Sequence, residues 1–278
     1  MYDAFASRVL AVRQVRGPLV LGLDPSAAIL SSWGLADDAE GLEAFVDVAL
    51  SAAMDSVGLV KPQSAFYERH GWRGMRALER LVREARAMGL LVILDAKRGD
   101  IGSTNAAYAQ TYFGEDAPLA CDALTLSPYL GLGAMEPFFA AAEATRAGLF
   151  VVVHSSNPEG RALQQATGGN GRSVAAKLLE EIGERNARAA GALGSVGAVV
   201  AAGAPRTWDL SAMRGLFLVP GVGAQGTTPE DVASTFSSCP ARALPSASRS
   251  ILAAGPDPRR IGASARALSA RFGELLTD

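Results

Sequence analysis

The chain has 278 residues, of which 49% are hydrophobic and 19% are charged, and its formal net charge is −2. This composition is typical of a globular protein with a large core, and the small net charge argues against nucleic acid as a partner. No segment approaches the ~20 apolar residues of a membrane span, and the first residues lack the apolar run of a signal peptide. Cys121 and Cys239 have no metal or redox spacing. We therefore expect a cytoplasmic protein with no membrane partner.

Short apolar runs recur along the chain, with helical patterns between them. Runs that are apolar throughout, rather than alternating, are typical of parallel strands buried on both faces. The predicted strands are Leu19–Leu23, Gly58–Val60, Leu91–Leu94, Ala123–Leu126, Leu149–Val153, Gly197–Val200, Leu216–Val219 and Ala243–Leu244. The predicted helices include Tyr2–Val15, Leu42–Ser56, Arg73–Met88, Phe139–Ala147, Val174–Ala190, Pro229–Phe236 and Arg259–Leu276.

Strands and helices that alternate in this way predict an α/β fold, a (β/α)₈ TIM barrel with an extra N-terminal helix. No internal repeat and no linker rich in proline and serine divides the sequence, so we expect residues 1–278 to form a single domain. In such barrels the active site lies at the C-terminal ends of the strands. That rule selects Asp24, Lys61, Asp95, Lys97, Ser127, Ser155, Ser156, Gln225 and Arg249 as candidates.

A charged motif, LDAKRGD, runs from Leu94 to Asp100 at the end of the third predicted strand. Asp95 and Lys97 are two residues apart, so their side chains are expected on one face of the chain. A lysine flanked by Asp95 and Asp100 should keep its proton, and such an ammonium suits delivery of a proton to a developing carbanion. Two alternatives stay open: Asp95 and Lys97 could form a surface ion pair, and Asp100 could cap the following helix.

A glycine-rich segment, LVPGVGAQG from Leu218 to Gly226, follows the seventh predicted strand. Glycine-rich loops after strand seven, together with groups after strand eight, are a recurrent phosphate site in these barrels. Arg249 supplies a guanidinium whose shape matches phosphate oxygens. The alternative is a surface turn with a solvated arginine. The two histidines, His70 and His154, have no ligand spacing, and we expect neither a metal nor another cofactor.

The combination of LDAKRGDIGST, PGVGAQG and SRSIL resembles the orotidine 5′-monophosphate decarboxylase family, in particular its longer-chain bacterial subgroup. The resemblance spans Leu19 to Leu252, nearly the whole barrel. It implies that the chain removes CO₂ from orotidine 5′-monophosphate (OMP) without a cofactor and so forms UMP in the last step of de novo pyrimidine synthesis. It also implies a homodimer whose active sites are shared between the subunits.

The resemblance further implies a role for single residues. Lys97 matches the lysine that protonates C6 of the pyrimidine, and Asp95 matches the carboxylate beside the substrate carboxylate. Asp100 and Thr104, with Ile101, match positions that reach into the neighbouring subunit's site. The other expected substrate contacts are Asp24 and Lys61 at the ribose, Ser156 at the pyrimidine edge, Gln225 and Arg249 at the phosphate, and Pro220 and Ser248.

The sequence departs from the family pattern after strands four to six. Ser127 stands where many relatives have histidine or asparagine, His154-Ser155 replaces a frequent Arg-Thr, and the segment around Pro205 departs from the usual Gly-Ala-Thr. The contacts made there stay open.

Two other functions are compatible with the barrel. A Mg²⁺-dependent sugar-phosphate decarboxylase or aldolase on a related barrel also carries Asp-x-Lys-x-x-Asp, but should lack the phosphate loop that bears Gln225. A non-catalytic nucleotide-binding barrel is the second alternative, and the intact Asp95, Lys97 and Asp100 argue against it.

Overall fold

A computed structural model of the chain describes residues 4–169, 171–189, 191–205, 208–223 and 226–277. Parallel strands close into a barrel in chain order, because each strand pairs with the next and the last pairs with the first. The predicted (β/α)₈ architecture is therefore confirmed. The strands are β1 (Val20–Leu23), β2 (Leu59–Pro62), β3 (Leu91–Arg98), β4 (Ala123–Leu126), β5 (Gly148–His154), β6 (Val196–Val200), β7 (Phe217–Val219) and β8 (Ala243–Ala247).

The predicted helices are present, with ends that differ from the prediction by a few residues; Tyr2 and Ala190 lie outside the described residues. No helix in the described part of the chain is long and apolar enough to cross a bilayer. The α-helices are α1 (Phe5–Arg16), α2 (Ala27–Ser32), α3 (Ala39–Met54), α4 (Ala65–Glu68), α5 (Gly71–Ala87), α6 (Gly102–Tyr112), α7 (Glu136–Thr145), α8 (Arg161–Gln164), α9 (Val174–Asn186), α10 (Pro229–Thr235), α11 (Arg249–Leu252) and α12 (Pro258–Leu275). Short 3₁₀ turns span Leu132–Met135, Pro158–Gly160, Ser211–Met213 and Pro240–Arg242.

The extra N-terminal helix, α1, closes one end of the barrel. Its buried side chains Phe5 and Val9 belong to the same core cluster as inward-facing strand residues such as Leu59 and Ile93. Phe5 meets the Phe150 ring edge to face, with 6.0 Å between the ring centroids. A second, larger cluster fills the space between the strands and the outer helices. The N-terminal end of the barrel is thus filled by apolar side chains.

Polar side chains continue the same inward face toward the C-terminal ends of the strands. Because side chains alternate along a strand, a residue two positions beyond an inward apolar residue also faces inward. Lys61 in β2, Asp95 in β3 and Thr125 in β4 each stand two positions beyond a member of the inner apolar cluster. A layer of polar side chains therefore lies between the apolar side chains that fill the N-terminal end of the barrel and the C-terminal ends of the strands.

Strands β2 and β3 continue past the charged residues at which the prediction ended them, and β5 and β8 also end later than predicted. Lys61 lies inside β2, and Asp95 and Lys97 lie inside β3, although the sequence prediction ended both strands before these charges. The charged residues continue the strands because Lys61 and Asp95 form an ion pair with each other, which compensates for their burial.

Candidate active site

A buried carboxylate, that of Asp95, is the centre of the polar layer. It accepts hydrogen bonds from the Nζ atoms of Lys97 at 2.6 Å and Lys61 at 3.1 Å. It also accepts them from Thr125 Oγ1 at 2.9 Å and from Gln63 Nε2 at 3.2 Å. The expected proximity of Asp95 and Lys97 is confirmed. Because Asp95 is only 7% exposed, a surface ion pair does not describe it.

The charges of neighbouring side chains keep Asp95 and Lys61 ionised. Burial by itself would raise the pKa of Asp95, but the positive charges of Lys61 and Lys97 outweigh it and hold that pKa well below its usual range. Burial would likewise lower the pKa of Lys61, yet the carboxylates of Asp95 and Asp24 raise it above its ordinary value. The layer therefore holds a carboxylate and a buried ammonium in fixed positions. The Lys97 side chain, 46% exposed, lies at its solvent side.

Thr125 and Gln63 were missed by the sequence analysis. A threonine inside an apolar run and a glutamine just after a strand carry no local signal of function, and neither residue belongs to a recognisable motif. The signal that could have found them is spacing, since Gln63 stands two positions beyond Lys61 and Thr125 stands two positions beyond the inward-facing Ala123.

Two unpartnered polar atoms lie where β1 and β8 meet. Asp24 follows β1 and Ser248 follows β8, and a Cβ built on Gly22 would come within 2.6 Å of Ser248 Cβ and 3.2 Å of Asp24 Oδ2. Asp24 Oδ1 and Ser248 Oγ are buried, and neither has a hydrogen-bond partner in the described part of the chain. A buried polar atom without a partner costs about 1–3 kcal/mol, so these two atoms indicate a site for a polar ligand.

The glycine-rich loop after β7 packs against the start of α11. Its backbone closes on itself, with the Gly223 N–H donating to the Thr227 carbonyl at 2.9 Å. Gly223 has a left-handed φ of 76°, and a Cβ there would also lie 2.9 Å from Ser250 Oγ, so glycine suits this position on both counts.

Two residues expected to contact the substrate, Pro220 and Arg249, lie beside this loop. Pro220 precedes the loop and is partly buried, and Arg249 is an exposed residue that begins α11. Gln225 lies outside the described residues.

Asp100 lies apart from the Asp95 cluster. Its carboxylate accepts a hydrogen bond from the Ile101 N–H at 2.7 Å and, within this chain, forms no ion pair with Lys97. The sequence predicts that Asp95 and Asp100 both lie beside Lys97. Within one chain, Asp95 forms an ion pair with Lys97 and Asp100 does not. The helix-cap alternative is wrong too, because the first turn of α6 has Ile101 as its N-cap and no side-chain cap bond.

Asn105 fixes the backbone at Asp100. The Asp100 N–H donates to Asn105 Oδ1 at 2.9 Å, and Asn105 Nδ2 donates back to the Asp100 carbonyl. Beside it, Ile101 is 62% exposed and Thr104 is exposed as well. An apolar side chain and a carboxylate are thus held on the surface in a fixed orientation.

The segment after β5 is held by its own hydrogen bonds. The Ser155 N–H donates to Gln164 Oε1 at 3.1 Å, and Gln164 Nε2 donates to Ser155 Oγ at 2.8 Å. Ser156, next to it, is exposed. His154 is buried with its ring edge-on to Trp208, 5.5 Å between centroids. Burial lowers the pKa of His154, and a backbone hydrogen bond involving Ala201 only partly offsets this effect.

Ser127 and Pro205, where the sequence also departs from the family pattern, form backbone hydrogen bonds. The Ser127 N–H donates to the Arg98 carbonyl at 2.8 Å, and the Pro205 carbonyl accepts from the Trp208 N–H at 3.1 Å. Among the described residues, no group of three or more histidine, cysteine, aspartate or glutamate side chains is arranged to hold a metal ion.

One family model and several known proteins are similar to this chain over most of its length. A family model described as orotidine 5′-phosphate decarboxylase / HUMPS family matches residues 17–265. An orotidine 5′-phosphate decarboxylase of Salinispora arenicola is 48% identical over 264 residues, which cover 95% of each protein. One of Streptomyces coelicolor is 49% identical over 257 residues, 92% of each.

Solved structures are similar as well. A crystal structure from Streptomyces avermitilis has a TM-score of 0.94 and 44% identity, and the match covers 99% of this chain and 96% of that one. The structure of Leishmania donovani OMP decarboxylase has a TM-score of 0.76 and 29% identity, with 99% of each chain covered.

Proposed function

The chain belongs to the orotidine 5′-phosphate decarboxylase family, and from that premise we propose that Lys97 donates the proton that replaces CO₂ on the substrate. The reaction of the family is the decarboxylation of OMP to UMP in pyrimidine biosynthesis, and the chain is a carboxy-lyase. The observation that carries the proposal for Lys97 is its 2.6 Å contact with the buried Asp95 carboxylate, which orients the ammonium at the end of the barrel.

The proposed reaction uses only the substrate, the ammonium of Lys97 and water. The bond between C6 and the carboxylate breaks, CO₂ leaves, and the electron pair stays on C6. A fixed ammonium stabilises that carbanion without reorganisation, and Lys97 Nζ then transfers a proton to C6. The resulting neutral amine regains a proton from water, which its 46% exposed side chain can reach.

Asp95 and Lys61 support this step. Asp95 stays ionised beside Lys97 and lies next to the substrate carboxylate, and Lys61 supplies the buried positive charge that keeps Asp95 ionised. We assign Lys61, with Asp24, to the ribose as well. Asp24 Oδ1 is buried without a partner in the described chain, and a ribose hydroxyl would donate to it.

We assign the phosphate to the loop after β7 and the start of α11. Ser248 and Arg249 at the start of α11, with Pro220 and Gln225 of the loop after β7, would hold it, while Ser156 would bond the pyrimidine edge. Ser248 Oγ is buried and has no hydrogen-bond partner in the described residues, and it would donate to a phosphate oxygen. Binding energy from this remote group can be used to hold the base at Lys97.

Arg249→Ala tests the phosphate assignment. We expect kcat/KM for OMP to fall by roughly 10- to 100-fold, because a charge-assisted hydrogen bond contributes about 1.5–3 kcal/mol. Turnover of orotidine, which has no phosphate, should change far less. The matched control is Arg259→Ala on α12, an exposed arginine outside the proposed site. Equal losses for OMP and orotidine would show that Arg249 supports the fold instead.

The proposal also covers how the subunits assemble and where in the cell the protein acts. We propose a homodimer in which Asp100, Ile101 and Thr104 of one subunit complete the site of the other. The support is that Asp100 forms no ion pair with Lys97 in its own chain and that Ile101 is 62% exposed.

The chain would act as one catalytic domain in the cytoplasm, where its free cysteines would stay reduced.

The direct test of the reaction is the loss of orotidylate absorbance when purified protein is added, with UMP identified as the product. Stoichiometric conversion supports the proposal. Tight UMP binding without any turnover of OMP would instead support a non-catalytic nucleotide-binding barrel.

A further inference from the structure

Thr125 in β4 is 1% exposed, and its hydroxyl joins two members of the charged cluster. Thr125 Oγ1 accepts a hydrogen bond from the Lys97 backbone N–H at 2.9 Å and donates its own proton to Asp95 Oδ1 at 2.9 Å. Lys97 Nζ contacts the same Oδ1 atom at 2.6 Å. The three residues therefore form a closed ring of hydrogen bonds that links the Lys97 backbone to its own ammonium.

The Lys97 backbone needs such support. Its φ of 45° lies in the left-handed region, which a residue other than glycine keeps only where its surroundings fix it. The pairing of β3 with β4 is also irregular between Leu94 and Arg98, so the regular ladder does not bind the Lys97 N–H. The Thr125 hydroxyl takes the place of the missing ladder acceptor.

A hydroxyl suits both contacts, because it carries one hydrogen to donate and lone pairs to accept. Valine has the same branched shape and can make neither contact. Serine keeps the hydroxyl and lacks only the methyl group. The two substitutions therefore separate the hydrogen bonds of Thr125 from its packing.

We infer that Thr125 is a positioning residue, which aims the Lys97 ammonium and the Asp95 carboxylate at the reacting carbon of the substrate. This inference rests on the proposed role of Lys97. It predicts an effect on kcat more than on KM, because the proposed ribose and phosphate contacts of Asp24 and Arg249 lie on other elements of the barrel.

Thr125→Val should lower kcat by about 10- to 100-fold, the effect of leaving a buried donor and a buried acceptor without their partner. KM for OMP and the Kd for UMP, measured by calorimetry, should stay within about threefold of the wild-type values. Thr125→Ser should recover most of kcat. The matched control is Thr145→Val, which removes an exposed helix hydroxyl whose hydrogen bonds, among the described residues, go to the Ala141 and Ala142 carbonyls of α7.

Hydrogen exchange at the Lys97 amide gives a readout independent of activity. We expect this amide to be protected in the wild-type, Thr125→Ser and Thr145→Val proteins and to exchange faster in Thr125→Val. An unprotected Lys97 amide in the wild type overturns the inference even if Thr125→Val does not fold. Wild-type kcat in Thr125→Val, or equal losses in the valine and serine variants, overturns it too. A wild-type protein that does not decarboxylate OMP would contradict the proposed function, while the exchange data would still decide whether Thr125 fixes the Lys97 backbone.

Discussion

Lys97→Ala should lower kcat for OMP by at least ~10³-fold, the scale of loss when a principal electrostatic group is removed from a site. In the proposed role of Lys97, the substitution removes both the charge that would stabilise the C6 carbanion and the proton that would neutralise it. Lys61 does not replace them, because its Nζ is buried and bound to the other oxygen of Asp95 at 3.1 Å. The measurement is the rate of OMP absorbance loss.

Two further variants sharpen this result. The chain has only three lysines, and Lys177 on α9 is exposed and paired with Glu181, so Lys177→Ala is the control that should keep the wild-type rate. Lys97→Arg restores a positive charge but not a transferable proton, because a guanidinium stays protonated. We expect it to remain far below the wild type. A Lys97→Ala protein that kept a tenth of the activity would show that the assigned role is wrong.

Mixing Lys97→Ala with Asp100→Ala subunits should restore activity that neither homodimer has. If sites are shared, one site of each heterodimer is built wholly from wild-type side chains and the other carries both substitutions. A random mixture contains half heterodimer, so about a quarter of the wild-type activity should return after co-refolding, provided that the subunits associate as a symmetric pair. The structure supports this geometry because Asp100 makes no ion pair with Lys97 in its own chain.

The matched control for this experiment is a mixture of Lys97→Ala with Asp95→Ala. Asp95 and Lys97 are in contact within one chain at 2.6 Å, so every site in that mixture lacks one of them and no activity should return. No recovery from properly exchanged, folded Lys97→Ala and Asp100→Ala subunits would mean that Asp100 acts in its own chain. That outcome would contradict the shared site and leave the decarboxylase assignment intact.

The fold and the charged residues of the site could be read from the sequence, and the reasons are physical. A parallel strand buried on both faces must be apolar along its length, so each strand of the barrel was visible as an apolar run. The continuation of β2 through Lys61 and of β3 through Asp95 was not visible, because an ion pair between two strands allows a charge where a single strand would exclude it.

Other features depend on contacts between strands, which the sequence does not show even where spacing puts a residue such as Thr125 on the inward face. Thr125 was missed because its two hydrogen bonds join β4 to β3, and the conformation of Lys97 that they support is set by the irregular pairing of these strands. The proposed contribution of Asp100 to the neighbouring subunit's site cannot be derived from the spacing of these residues in one sequence, and within its own chain Asp100 forms no ion pair with Lys97.

We propose that the fixed charge of Lys97, and not a metal ion, stabilises the carbanion at C6. The most direct measurement is OMP turnover by the wild-type protein after exhaustive treatment with a chelator, assayed with the chelator still in excess. We expect the untreated rate and one UMP for each OMP consumed. Loss of activity that returns on adding Mg²⁺ would contradict it and would favour a metal-dependent enzyme on the same barrel.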